Sequence, residues 1–174
     1  TPLTKTELQN LINLKYEIIL PKKRNYYIEN LYGHYAHTLH IGPLDRTRAI
    51  IKEKYPDFLP EFNRLKTRRS ANILIFKKPL LEEYCEFLFG ILFALESSLT
   101  KEELTRYDGF HARFFGRISE LLLDVFLYTK FPDLDKRSDV LELQVLELEP
   151  VNWIEKISNF LLAKFFGKKY KKSC

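Results

Sequence analysis

The 174-residue chain has no methionine, two cysteines, six glycines and one tryptophan. Two cysteines cannot define a disulfide framework, and Cys85 lies in an amphipathic apolar pattern where a buried thiol is the ordinary reading. Cys174, the last residue, carries no prenylation motif. Glycine-rich phosphate motifs are absent. No serine sits in a nucleophile-elbow setting, and the hydrophobic neighbours of Cys85 argue against a thiolate nucleophile. The longest apolar run, Phe87 to Leu95, is too short to span a bilayer, and nothing at the N-terminus resembles a signal peptide. These absences favour a cytoplasmic, reducing location. The chain starts at Thr1 and lacks methionine throughout, which leads us to expect that it is not the whole protein.

What is present suffices for one domain with a real core: 45% apolar residues and 14% aromatics, with 14 Phe and 10 Tyr. The formal charge of +5 is unevenly placed. Residues 151–174 hold six lysines, at 156, 164, 168, 169, 171 and 172, against Glu155, so residues 1–150 sum to about zero. A nucleic-acid binder spreads its cations over a working face, because phosphate neutralisation supplies most of the affinity. No nucleic acid partner is therefore expected.

Thr4 and Glu7 have capping-box spacing and predict a helix to about Leu14, after which Tyr16–Leu20 reads as a buried strand stopped by Pro21. Residues 22–40 mix bases, tyrosines and histidines without a clean period and read as a loop with a helical turn near 29–37. Asp45–Tyr55 is predicted helical, Glu61–Lys66 another turn or two, and Asn72–Phe76 a short strand. Pro79 opens the clearest helix, with Leu81, Tyr84, Cys85, Leu88, Leu92 and Leu95 on its core stripe. Thr100 and Glu103 repeat the capping box. Phe110–Thr129 is a long helix with Phe110, Phe114, Ile118, Leu121, Leu122 and Val125 on one stripe and Arg113, Arg117, Glu120 and Asp124 on another. Val140–Leu148 reads as a strand and Trp153–Phe166 as a basic amphipathic helix. The fold class is mixed, helix-rich α/β, with a domain over 1–150 and a tail helix over 151–174.

Lys22, Lys23 and Arg24 beside Tyr26 and Tyr27 directly follow a predicted strand, where open α/β sheets place ligand contacts. Charge and stacking there suit a nucleotide diphosphate or an anionic sugar; a solvated basic loop is the alternative. His34 and His37 share a helical face, with His40 drifting off it. Zinc would want a fourth ligand, so hydrogen bonding to a substrate hydroxyl or to backbone is preferred and no metal site is assigned. Arg68 and Arg69 could reach a cleft, although surface charge is the commoner explanation. In the tail, Trp153, Ile154, Ile157, Phe160, Leu161 and Phe165 alternate with lysines, as in an interfacial helix facing anionic lipid. Packing onto its own domain is the alternative, and both hold if residues 153–161 dock while 164–172 face lipid.

Four segments in order, Ile-Ile-Leu-Pro-Lys-Lys-Arg-Asn-Tyr-Tyr-Ile-Glu (18–29), His-Tyr-Ala-His-Thr (34–38), Glu-Tyr-Cys-Glu-Phe-Leu-Phe (83–89) and His-Ala-Arg-Phe-Phe-Gly-Arg-Ile-Ser-Glu-Leu-Leu (111–122), resemble the domain-of-unknown-function 4422 family. Its members belong to bacterial capsular and exopolysaccharide gene clusters and are treated as glycosyltransferases. The resemblance spans most of residues 15–172. It implies a nucleotide-sugar donor, a saccharide or lipid-linked acceptor, and the C-terminal, acceptor-side half of a nucleotide-sugar glycosyltransferase, with a small sheet flanked by long helices. The family's N-terminal portion, with a His-Tyr-Arg-Arg-Tyr-Phe segment, is not found here, and the stretch from Ser70 to Ile75 is shorter than the family's.

The positions shared with the family are Lys22, Lys23, Arg24, Tyr26, Tyr27, His34, His37, Arg113 and Glu120. From chemistry, Glu120 or Asp108 is the expected base for an acceptor hydroxyl, with Lys22, Lys23 and Arg24 near phosphate and Arg113 fixing the Glu120 carboxylate. Glu120 is then expected to be mostly buried and close to the Lys22–Tyr27 loop. Mg or Mn is compatible with the chemistry, without an assigned ligand set. The expected place is peripheral, on the inner face of the cell membrane through residues 153–172. A non-catalytic remnant or membrane-docking module is the rival reading.

Overall fold

The computed structural model describes residues 3–14, 16–69, 71–105, 107, 111–145 and 153–167. Helix α1 (Lys5–Asn13) starts at the anticipated capping box: the Thr4 hydroxyl accepts from the Glu7 amide at 3.2 Å, and Glu7 accepts from the Thr4 amide at 2.8 Å. Strand β1 (Ile18–Pro21) follows, then the two-residue β2 (Arg24–Asn25) and helix α2 (Leu31–Thr38). Asn30 caps α2 by accepting from the Gly33 amide at 2.8 Å, a local signal for a helix inside a segment read from sequence as loop. Helices α3 (Gly42–Lys54) and α4 (Leu59–Arg64) lead to β3 (Thr67–Arg68) and β4 (Ile75–Phe76). The long helix α5 (Lys78–Ser97) and short α6 (Lys101–Thr105) precede α7 (Phe114–Lys130), β5 (Val140–Leu143) and α8 (Trp153–Phe166).

Three strands form a sheet in the order β4-β1-β5, β1 running antiparallel to β4 and parallel to β5. All four residues of β1 are buried, as expected of a central strand covered on both faces. Its register pairs Ile18 with Phe76 on one side and with Val140 on the other. A separate ribbon pairs Arg24 with Arg68 and Asn25 with Thr67. Helix α7 runs through the core, with every residue from Leu121 to Leu127 buried. Phe126 sits in an aromatic group, 5.5 Å from Phe87, 5.2 Å from Tyr84 and 6.2 Å from Phe58, in the offset and tilted arrangements such rings prefer. Gly90 lets α5 approach α3: a Cβ there would run into the Tyr55 hydroxyl.

A buried ion pair lies beneath this core. Asp124 is fully buried on α7 and Arg69, just after β3, is 1% exposed. The Asp124 carboxylate accepts from the Arg69 backbone amide at 2.7 Å and from its guanidinium, which also donates to Glu142 on β5. Burial works to raise the pKa of Asp124, opposed by the charge and hydrogen bonds of Arg69. For Arg69 burial works downward, but Asp124 and Glu142 prevail and its pKa is raised. The guanidinium also lies 5.9 Å from the Tyr128 ring centroid.

Several expectations need correction. Arg69 is not surface charge, and Asp124 does not share the exposure of the polar stripe it belongs to, because each supplies the partner the other needs inside. The strand expected from Asn72 begins at Ile75, since Ala71 and Asn72 are left-handed, with φ of 73° and 48°. Leu81 is 38% exposed, and the buried stripe of α5 is Tyr84, Phe87, Ile91 and Leu95. From Phe87 to Leu95 the helix is apolar nearly all round, so periodicity admitted two stripes. Helix α7 begins at Phe114 after a 3₁₀ turn over His111–Arg113, and β5 ends at Leu143; Phe110 and residues 146–148 lie outside the described residues.

Removing one partner of the central pair strands a buried charge. Asp124→Ala should cost about 3–5 kcal/mol in urea unfolding, whereas Arg69→Met with Asp124→Leu should recover most of the loss. A loss below about 1 kcal/mol for the single change would contradict the pairing.

Candidate functional site

The polar stripe of α7 divides in two. Asp124 closes downward on Arg69, while Glu120, Arg117 and Arg113, one, two and three turns earlier, open into a cleft of about 440 Å³. Ala71, Asn72 and Gly116 complete its lining. The far wall is the left-handed turn, a conformation that costs a non-glycine residue about 1–2 kcal/mol. Tertiary bonds hold it: the Asn72 amide donates to the Ser119 hydroxyl at 2.8 Å, and Ser119 donates to the Gly116 carbonyl at 2.8 Å.

Arg68 brings β3 to the cleft, its Nη2 lying 3.8 Å from Glu120 Oε2. The Glu120 side chain is about one-fifth exposed, so it is neither solvated nor sealed. Burial, with Arg113 and Arg68 close by, works to lower the pKa of Arg117 against the pull of Tyr35 and Glu120. It remains charged at any physiological pH. Guanidinium groups around a carboxylate offer planar, forked donors suited to phosphate oxygens.

Across the β2–β3 ribbon the arrangement continues. Arg24, the register partner of Arg68, lies 5.5 Å from the Tyr26 ring centroid, and the Tyr26 and His34 rings are 4.6 Å apart. His34 and His37 turn to one buried carboxylate: His34 Nδ1–H donates to Glu29 Oε1 at 3.0 Å and His37 Nδ1–H to Oε2 at 2.8 Å. Helix α8 covers this group, Phe160 stacking on His34 at 5.5 Å and Lys164 Nζ standing 3.5 Å from Glu29 Oε2. Burial pushes the His34 pKa down to about 4, despite the pull of Glu29, and Arg68 and Arg24 add to the fall. Neutral His34, donating from Nδ1, leaves Nε2 as an acceptor.

The structure thus brings Glu120 and Arg113 to one cleft, and Arg24, Tyr26, His34 and His37 to the adjoining face. It separates the three basic residues at 22–24. Lys23 turns inward to Asp135 and donates to the Tyr128 hydroxyl at 3.0 Å, whereas Lys22 and Arg24 are exposed. Tyr27 is 85% exposed. The ion partner of Glu120 is Arg68 rather than the anticipated Arg113. Asp108 lies outside the described residues. Sequence reasoning missed Glu29 and understated Arg68 and Asn72. The carboxylate five and eight residues before the two histidines was the available signal for Glu29. Among the described residues no group of His, Cys, Asp or Glu is placed to hold a metal ion.

Comparison with known proteins agrees with the family resemblance in the sequence. The family described as Domain of unknown function (DUF4422) matches residues 1–131. The matched region starts earlier than expected and ends before β5 and α8. The apo structure of the bifunctional glycosyltransferase WbbM is similar in fold, with a TM-score of 0.63 and 25% identity over 85% of this chain. The chain spans 28% of that protein's length. No curated protein matches it.

An unfolded histidine titrates near 6.5, so between about 6.5 and 4 the unfolded chain binds a proton that folded His34 refuses. The stability that neutral His34 contributes is complete above 6.5 and is lost as pH falls toward 4, at most about 3 kcal/mol. Urea midpoints should fall over this range for the parent protein and change less for His34→Gln. Equal slopes would show that His34 titrates normally.

Proposed function

The chain belongs to the DUF4422 family, and from that membership we propose that it acts in glycosyl transfer, moving a sugar from a nucleotide-sugar donor to a saccharide or lipid-linked acceptor in capsular or exopolysaccharide synthesis. The likeness to a bifunctional glycosyltransferase supports the transferase class. The observation that carries the reading is the juxtaposition of Glu120 with Arg68, Arg113 and Arg117 around one cleft. In this reading the acceptor hydroxyl oxygen bonds to the anomeric carbon as the bond to the donor phosphate breaks. The electron pair leaves on the diphosphate, where the guanidiniums stabilise it, and the hydroxyl proton passes to Glu120. Arg24 and Tyr26 border the sugar, and His34 and His37 set its orientation through hydrogen bonds. Asp108 stays the second candidate for the base. A divalent ion would serve the diphosphate from outside these side chains.

The lysines of the tail and its apolar residues support peripheral attachment to the inner face of a membrane. None of the described helices is long and apolar enough to cross one. The exposed apolar residues of α8 favour a second reading, a non-catalytic module that binds a sugar nucleotide and docks other enzymes at the membrane.

A panel of nucleotide sugars separates the two. Transfer or slow hydrolysis of one of them is expected, with Glu120→Gln lowering turnover about a hundredfold and leaving the circular dichroism spectrum unchanged. Arg113→Gln should raise the donor KM about tenfold, the effect of one charged hydrogen bond. Donor binding without turnover would support the module, and an unaltered rate in Glu120→Gln would remove that residue from the chemistry.

A further inference from the structure

Among the described residues, half of the exposed large apolar side chains fall on α8 and on the tip at residues 27–28. On α8 the inner stripe, with Phe160, Ala163 and Lys164, packs toward α2. Turned away from that stripe, Ile154 is 80% and Phe165 69% exposed, with Phe166 at 74%, and Ile157, which borders the stripe near the start of the helix, is 55% exposed. Tyr27 and Ile28 stand 85% and 68% exposed at the tip that follows β2. The next residue is Glu29, whose carboxylate meets Lys164 of α8, so the tip and the helix share a seam. Soluble monomers seldom leave an apolar area of this kind uncovered. We propose that the Tyr27–Ile28 tip and α8 form a single interfacial platform that inserts into an anionic lipid surface, an inference that rests on the peripheral attachment proposed above and adds a second, non-helical anchor to it.

Charge selects this occupant. Residues 151–174 carry six lysines and one glutamate, while the first 150 residues sum to zero, so the net positive charge of the chain falls in the segment that contains α8. A second copy on the same face would oppose two such cationic segments, which like-charge repulsion disfavours. An anionic headgroup layer complements them. Tyr27 suits the boundary, with an apolar ring and a polar tip, and Ile28 supplies the buried wedge. Helix α8, at 14 residues about 21 Å long, lies along the surface in this arrangement. Such docking brings the His34–Glu29 group, directly under α8, next to the headgroups.

The test is co-sedimentation of the intact protein with phosphatidylcholine vesicles, with and without phosphatidylserine. Parent protein should pellet only with the anionic vesicles and be released by salt. Ile157→Ser with Phe165→Ser should weaken binding about tenfold or more, and so should Tyr27→Ser with Ile28→Ser, both proteins keeping the parent circular dichroism spectrum. Loss in the helix variant alone, with parent-like binding by the tip variant, would overturn the platform and leave tail attachment standing. Failure of the parent protein to bind would overturn both. Light scattering that reports a dimer abolished by the Ile157 and Phe165 changes would make the occupant a second copy and overturn the lipid assignment.

Discussion

A buried guanidinium can be held only where carboxylates meet it, and Arg69 finds them on two elements that are distant in sequence. Asp124 belongs to the central helix α7 and Glu142 to the edge strand β5. Their contact with a residue just after β3 fixes the distance between the helix, the three-stranded sheet and the β2–β3 ribbon. The Arg69 backbone amide also donates to Asp124, so the main chain is located along with the side chain. Tyr128 extends the network outward, donating to Asp135 at 2.8 Å while it accepts from Lys23. Lys23 is thereby recruited to the scaffold, and the basic run at residues 22–24 divides between structure and surface. Desolvation makes such a pair costly, so what it supplies is a defined arrangement more than net stability.

The cleft follows from that arrangement. With Arg69 anchored, Arg68 is delivered to Glu120 one turn before Asp124, and the chain beyond must reverse over a few residues to reach β4. It does so through Ala71 and Asn72 in the left-handed region, and the bonds of Asn72 and Ser119 tie the turn to α7. A helix whose polar stripe is half sealed and half open thus carries both the structural carboxylate and the candidate catalytic one.

Signals confined to a few neighbouring residues were legible in the sequence. The Thr4–Glu7 and Thr100–Glu103 boxes start helices where expected, and Trp153–Phe166 is the helix its amphipathic pattern predicts. The mixed, helix-rich class and the clustering of Arg113, Arg117 and Glu120 on one helix face also follow from periodicity. Illegible features depend on partners far along the chain. Arg69 and Asp124 are 55 residues apart, and each alone reads as an ordinary surface charge. Asn72 stands in a β-rich stretch, and only its tertiary bond to Ser119 selects the left-handed turn over a strand. Glu29 looks like one of many surface glutamates until α2 and α8 close on it.

Helix α8 shows how one segment can satisfy two readings that a sequence pattern leaves open. The pattern allowed it to pack on its own domain or to face lipid, with a boundary drawn along its length. The division in the structure runs around the helix instead: Phe160 and Lys164 point to His34 and Glu29, while Ile154 and Phe165 are turned away. Lys164 departs from the basic outer role expected of it because the Glu29 carboxylate, buried between His34 and His37, offers it a partner shielded from water. Its aliphatic stem then covers apolar surface while its head reaches the carboxylate. The seam that holds α8 to the domain thus joins one ion pair to an aromatic stack and the buried Ala163, and the apolar residues turned away from it are left for a surface other than the core.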